Sequence, residues 1–283
     1  MINIAKFIAT RKELHLSQNE LAAGICTQAT LSKFENRGRV PSLKILTALC
    51  ERLGLTLTDL IEDNSALAVP NEELLRQADF ALVGYHYDKI TQLLAQISKP
   101  DLIAEELWHF NYLQGVVALE ADHNFVEALY YFNEILTDGK ITPQNIYALL
   151  AQTGCGMVFE LQSDLVKAER YYGQVLPLVL QYFPGNNQTA SQLIRILLIS
   201  GHFYQRICDY EISNQLLQYG YQLCSKQHLV YYLARLLYLL AQNAQAQHQD
   251  PGIIRQYLND AAAFARLNHN EQLLAKISQF PLA

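Results

Sequence analysis

The sequence predicts an all-α protein in two parts, a small N-terminal domain of short helices followed by a long stack of helical hairpins. Three observations carry this prediction. Helix caps and apolar residues at helical spacing crowd into the first 63 residues. From residue 71 onward the pattern stays helical, with no credible alternating strand run. That second part also repeats weakly, at offsets of 38, 40, 45 and 41 residues. A chain of 283 residues, 51% hydrophobic and 17% charged, can bury such cores without disulfides or metals.

The N-terminal helices are marked by their ends. Ser17–Glu20 reads S-Q-N-E, a capping box in which Ser17 and Glu20 each satisfy an orphan N–H. Leu16 before the cap and Leu21 inside the helix form a hydrophobic staple. Gly24 stops this helix, because glycine takes the left-handed conformation at no steric cost. Thr27 caps a second helix that runs to about Asn36. At about 100° per residue, Thr30, Leu31 and Phe34 share its inner side. Gln28, Ala29, Ser32, Lys33 and Asn36 share the other. Amide, cation and small apolar groups in one arc suit base edges and phosphates, although an ordinary solvated helix face has the same composition.

The surrounding chain, LSQNELAAGICTQATLSKFENRGRVPSL, closely resembles the Cro/repressor-type (XRE) helix-turn-helix family, from about Ile4 to Asp63. The resemblance implies a five-helix DNA-binding domain over 1–63, closed by helices in PSLKILTALCERLG and LTLTDLIED. It implies that Gln18 bonds a backbone phosphate, that Gln28, Ala29, Ser32 and Lys33 face the major groove of double-stranded DNA, and that Thr27 belongs to the DNA-binding set. Asn36, Arg37 and Arg39 then meet phosphates, and Arg11 and Glu35 form an internal salt bridge. Charge is permissive for this role. The chain carries −6 overall, but residues 1–63 hold eight Lys/Arg against seven Asp/Glu, with Lys33, Arg37, Arg39 and Lys44 close together.

Residues 64–70 read as a linker around Pro70. In the body, 71–283, a small or apolar residue is followed four later by an aromatic or leucine. The copies are Ala128/Phe132, Ala168/Tyr172, Ser213/Leu217 and Ile254/Leu258, with a weaker one at Ile90/Leu94. Gly156 and Gly201 each lie twelve residues before an anchor and three before an aromatic, Phe159 or Tyr204. The glycine is expected to let paired helices approach and that aromatic to fill the gap between them. Trp108 with Gly115 is a degenerate third instance. The pattern resembles the tetratricopeptide (TPR) repeat and implies an α-solenoid of about five TPR-like hairpins, with repeats longer than the usual length of about 34.

An XRE domain ahead of TPR-like repeats resembles the RRNPP regulators of Gram-positive bacteria, the Rgg/PlcR-like family. That resemblance implies a transcriptional regulator of quorum sensing that binds a short signalling peptide in the concave TPR surface and dimerises through the repeats. A homodimer fits DNA with two half-sites. On the geometry of such a superhelix, His109, Tyr112, Thr153, Met157, Arg195, His202, Gln205, Tyr238 and Gln242 turn toward the groove. Amides suit an extended backbone, and Arg195 a carboxylate or carbonyl. Solvent exposure or packing between helices is the competing reading of each residue.

Other chemistry is sparse. The five cysteines form no C-x-x-C pair and read as small buried hydrophobes. The histidines are dispersed, and the paired glycines at Thr153–Met157 lack a nucleotide-loop context. We therefore expect no enzyme activity, cofactor or metal. The start meets a charge before any apolar run of useful length, so no signal peptide is expected, and no run approaches the roughly 20 apolar residues of a membrane span. A cytoplasmic protein with no membrane partner is expected. Two alternatives stay open: a TPR scaffold with a vestigial helix-turn-helix, and an XRE regulator sensing something other than a peptide.

Overall fold

A computed structural model describes residues 4–14, 16–38, 40–55 and 70–281, with Ala5 and Arg37 described by backbone alone. Contacts divide the chain into Met1–Pro70 and Asn71–Ala283.

The N-terminal unit contains α1 (Ile4–Glu13), α2 (Gln18–Ala22), α3 (Gln28–Arg37) and α4 (Leu43–Arg52). The expected fifth helix, beyond Leu55, and the linker up to Pro70 lie outside the described residues. The capping box at Ser17 is formed in both directions. Thr27 accepts from the N–H of Thr30, and Gly38 ends α3 at φ 66°. Gly24 and Gly54 also take positive φ, at 75° and 69°, behind α2 and α4. One small core joins the helices: Phe7, Leu21, Leu31, Phe34 and Leu49 are fully buried. The Phe7 and Phe34 rings meet edge-on at 5.1 Å.

The second unit is five helical hairpins and a closing helix. The hairpins are α5 (Asn71–Val83) with α6 (Tyr87–Leu94), α7 (Ala104–Glu120) with α8 (Phe125–Leu136), and α9 (Ile146–Leu161) with α10 (Leu165–Val179). There follow α11 (Asn187–Arg206) with α12 (Tyr210–Gln227), α13 (Leu233–Ala246) with α14 (Pro251–Leu267), and α15 (Glu271–Ser278). All five anchor pairs, from Ile90/Leu94 to Ile254/Leu258, lie on the second helix of a hairpin and all are buried.

In the three middle pairs the second member wedges against the first helix of its own or the next hairpin. A Cβ on Gly115 would stand 2.5 Å from the Phe132 ring, one on Gly156 3.0 Å from Tyr172 and one on Gly201 2.8 Å from Leu217. Phe132 also lies against Gly154 of α9, so a single ring fills the space between two helices that both lack a side chain there. This corrects one expectation. The group that fills the gap beside each glycine is the wedge four residues past the anchor. Phe159 instead stacks on Tyr171, and Tyr204 packs edge-on to Phe203. Trp108 donates to Asp138 at 2.8 Å.

The turns inside the hairpins repeat as well. Tyr85, His123, Ser163, Cys208 and His248 all take positive φ between 52° and 63°, as does His269 before α15. Behind them Asn124, Asp164, Asp209 and Asp250 cap the second helix, each four residues before its anchor. The N–H of Asp164 reaches Phe159 O at 2.9 Å and that of Asp209 reaches Tyr204 O at 2.9 Å, closing a six-residue loop over a left-handed residue. Histidine tolerates that conformation better than most side chains. Four of the eight histidines, His123, His228, His248 and His269, are used there.

Candidate functional site

The outward face of α3 rests on a largely buried ion pair. Arg11 Nε and Nη2 donate to the two Glu35 oxygens at 2.7 and 2.9 Å, and Nη1 donates to Leu16 O at 2.7 Å. The pairing expected between Arg11 and Glu35 is present, and it ties α1 to α3. Glu35 Oε2 also accepts from Gln18 Nε2 at 2.7 Å, and Gln18 Oε1 accepts from Gln28 Nε2 at 2.7 Å.

This relay has a direction. An ionised carboxylate only accepts, so Gln18 must turn its nitrogen to Glu35 and its oxygen to Gln28. Gln28 in turn gives up one amide hydrogen and keeps Oε1 and the second hydrogen. That is the acceptor–donor pair an adenine edge requires. Gln18 likewise keeps one amide hydrogen unspent.

Around Gln28 the face is as the helical spacing predicts. Leu31 and Phe34 are fully buried, while Gln28, Ala29, Lys33 and Asn36 are exposed and Ser32 is half-exposed. Asn36 Nδ2 donates to Ser32 Oγ at 3.1 Å, which holds the far end of the arc. Thr27 is exposed and engaged as the cap. Arg39 and the side chain of Arg37 lie outside the described residues. Arg52 was not singled out from sequence. It donates to Leu21 O at 3.1 Å and so satisfies a carbonyl at the end of α2.

The residues expected in the repeat groove divide into two groups. His109, Tyr112, Thr153 and Arg195 are buried and already engaged. His109 Nε2 lies 2.8 Å from Asp79 Oδ1, and Thr153 donates to Leu149 O within its own helix. Arg195 Nε donates to the Tyr112 hydroxyl at 2.9 Å and Nη2 to Glu120. Burial is the largest single influence and works against the charge on Arg195, but Glu120 together with Tyr112, Tyr85 and Tyr232 outweighs it and keeps the guanidinium ionised well beyond the ordinary arginine range. Burial pushes the Tyr112 hydroxyl well above its usual pKa, so it stays protonated.

The second group is reachable. Met157, Gln205, Tyr238 and Gln242 are half-buried, and His202 is exposed. His202 is nevertheless crowded by neighbouring helices, and this loss of water lowers its pKa below the ordinary histidine value. Gln205 Nε2 donates to Leu239 O at 3.1 Å and Asn243 Oδ1 at 2.6 Å, leaving its oxygen for other partners. Tyr238 and Gln242 line a cleft of about 540 Å³ with Gln245, Lys276, Gln279 and Phe280.

Among the described residues no helix is long and apolar enough to cross a membrane, and no His, Cys, Asp or Glu cluster is placed to hold a metal ion. Burial pushes the Cys155 and Cys224 thiols up to about 12, which makes them inert core residues.

A helix-turn-helix unit followed by a helical-hairpin repeat defines the class of protein. Residues 8–60 match the family described as Helix-turn-helix. Over its length the chain is similar in fold to Bacillus thuringiensis PlcR, solved with the peptide PapR7 and DNA. The TM-score is 0.62 at 13% identity, covering 99% of this chain and 100% of that one. It is also similar to ComR from S. thermophilus, solved with DNA and its signalling peptide ComS, with a TM-score of 0.59, 15% identity and 97% of each chain covered. The apo form of the competence regulator ComR from Streptococcus vestibularis gives 0.57 at 16% identity, covering 97% and 95%. At such identities the likeness is one of fold. No curated protein matches the sequence.

Proposed function

We propose that this chain is a sequence-specific DNA-binding transcriptional regulator whose repeat unit responds to a short peptide. The observation that carries the DNA reading is the directed relay Arg11–Glu35–Gln18–Gln28, which presents an oriented amide beside exposed Ala29 and Lys33. A helix-turn-helix kept only as a scaffold gains nothing from a solvent-facing amide held by a buried ion pair. Arg37 and Arg39 add phosphate contacts in this reading.

The peptide reading is supported by the fold shared with PlcR and ComR, whose solved complexes hold PapR7 and ComS. The contacts we propose are Met157, His202, Gln205, Tyr238 and Gln242, which the structure leaves reachable. His109, Tyr112, Thr153 and Arg195 take part once their present partners let go. A homodimer on two half-sites completes the reading.

The test is binding of the purified full chain to the DNA upstream of its own gene and to random duplex, across a salt series. We expect a preference for the first, and Lys33→Ala should lower the slope of log K against log salt by about one. Equal affinity for both duplexes overturns the proposal.

A further inference from the structure

The first hairpin, α5 with α6, packs along α7 as its neighbour in the stack. It is also tied to the fourth and fifth hairpins by contacts that side chains make. Gln188 Nε2 of α11 donates to Asp79 Oδ2 at 3.0 Å, while the other Asp79 oxygen holds His109 of α7. Arg235 of α13 points both terminal nitrogens at Val83 O, at 3.4 Å each, and sets its guanidinium 4.1 Å over the Tyr85 ring. Phe80 and Tyr231 meet edge-on at 5.6 Å, although both rings are largely exposed.

A second layer lies beneath. Glu120 accepts from Tyr87 of the first hairpin and from Arg195 of the fourth. Partners in these contacts stand as far as 152 residues apart in sequence. Helix packing within successive hairpins buries continuous apolar surface, whereas this seam is made of hydrogen bonds and exposed ring contacts. At 3.4 Å the two Arg235 bonds are long. Gln192, which donates to Tyr147 beside His109, keeps a buried Oε1 with no hydrogen-bond partner. A buried acceptor beside the seam is therefore left open.

We propose that the first hairpin is a clasp. It closes over the concave face by gripping α11 and α13 through Asp79, Val83, Tyr85 and Phe80, and it swings on the 95–103 connection to α7. Opening frees Asp79 and Arg235 and withdraws Tyr87 from Glu120, which gives an entering ligand carboxylate acceptors and a guanidinium donor. That use rests on the reading that a peptide binds this face; the clasp itself does not. In sequence the clasp is the first element of the second unit, since α5 starts at Asn71.

The test needs neither ligand nor DNA. In full-length protein with the accessible thiols removed (Cys26→Ser and Cys208→Ser), spin labels at Asp88→Cys and Asp260→Cys report the first hairpin against the fifth. Labels at Glu134→Cys and Asp260→Cys report the second against the fifth. We expect Asp79→Asn combined with Arg235→Ala to lengthen or broaden the first distance by more than about 5 Å and leave the second unchanged. Phe80→Ala removes an exposed ring without endangering the fold, and should move the same distance in the same direction by less. If both distances move together, the repeat has merely loosened and the clasp is refuted. It is equally refuted if neither variant moves the first distance. A chain that binds no DNA and no peptide still gives a clear answer here, so failure of the functional reading stays separable.

Discussion

The two units hold pairs of short helices together by opposite means. In the N-terminal unit a charged group does it: Glu35, its side chain 2% exposed, is gripped by Arg11 and Gln18, and one apolar cluster packs beside it. In the repeat unit the absence of a side chain does it. Gly115, Gly154, Gly156 and Gly201 admit Phe132, Tyr172 and Leu217 so closely that no Cβ would fit undisturbed. A charged relay fixes direction and leaves a defined amide at the surface. A glycine-and-wedge contact fixes distance and can be copied from hairpin to hairpin without specifying any surface. The first arrangement suits a site, the second a scaffold.

The contrast is broken most severely at the wedge. Phe132→Ala empties a fully buried ring site facing two glycines that cannot fill it, and should cost about 3–5 kcal/mol. Urea unfolding followed by circular dichroism should show that loss in the repeat unit, while the N-terminal unit keeps its midpoint. A cost near zero means that the neighbouring helices collapse onto the space and the spacing is not set by the ring. Glu35→Ala is next. It strands Arg11, whose side chain is 12% exposed, and releases Gln18, for a loss of about 3 kcal/mol confined to the N-terminal unit. Its thermal transition should fall while that of the repeat unit stays. If the N-terminal unit tolerates this change, the apolar cluster alone holds α1 on α3.

How much of this could be read from sequence followed the range of the interactions. The caps at Ser17 and Thr27, the stop at Gly24 and the inward arc of α3 depend on residues within a few positions of each other. The anchor pairs were legible because the same pair recurs with a period. The caps Asn124, Asp164, Asp209 and Asp250 carried the same period and could have been read, each standing four residues ahead of its anchor. The concave face was not legible in the same way. Arg195 was placed there, but its engagement by Tyr112 and Glu120 spans 83 and 75 residues, and no local pattern encodes which partner wins. The wedge was misread for a related reason. Gly156 and Phe159 are near in sequence, yet the ring that reaches Gly156 is Tyr172, one helix later.

The smaller effects test whether the relay serves recognition or only stability. Gln28→Ala removes the terminal amide and nothing buried, so the unfolding midpoint should barely change. Affinity for the preferred DNA should fall by about 1–3 kcal/mol, with the loss concentrated at one base pair when single-position variants of the site are compared. Gln18→Ala leaves Gln28 in place but unties it, so its effect should be spread over sequences, as expected for a phosphate contact and a lost orientation. Ser17→Ala is the mildest. It deletes the cap that accepts from Glu20 N and should lower stability by about 1 kcal/mol without altering base preference. Base preference that shifts with Ser17 but not with Gln28 would place recognition at the start of α2. The amide relay would then be a stabilising contact like the wedges of the repeat, and the division between a directed site and an undirected scaffold would fail.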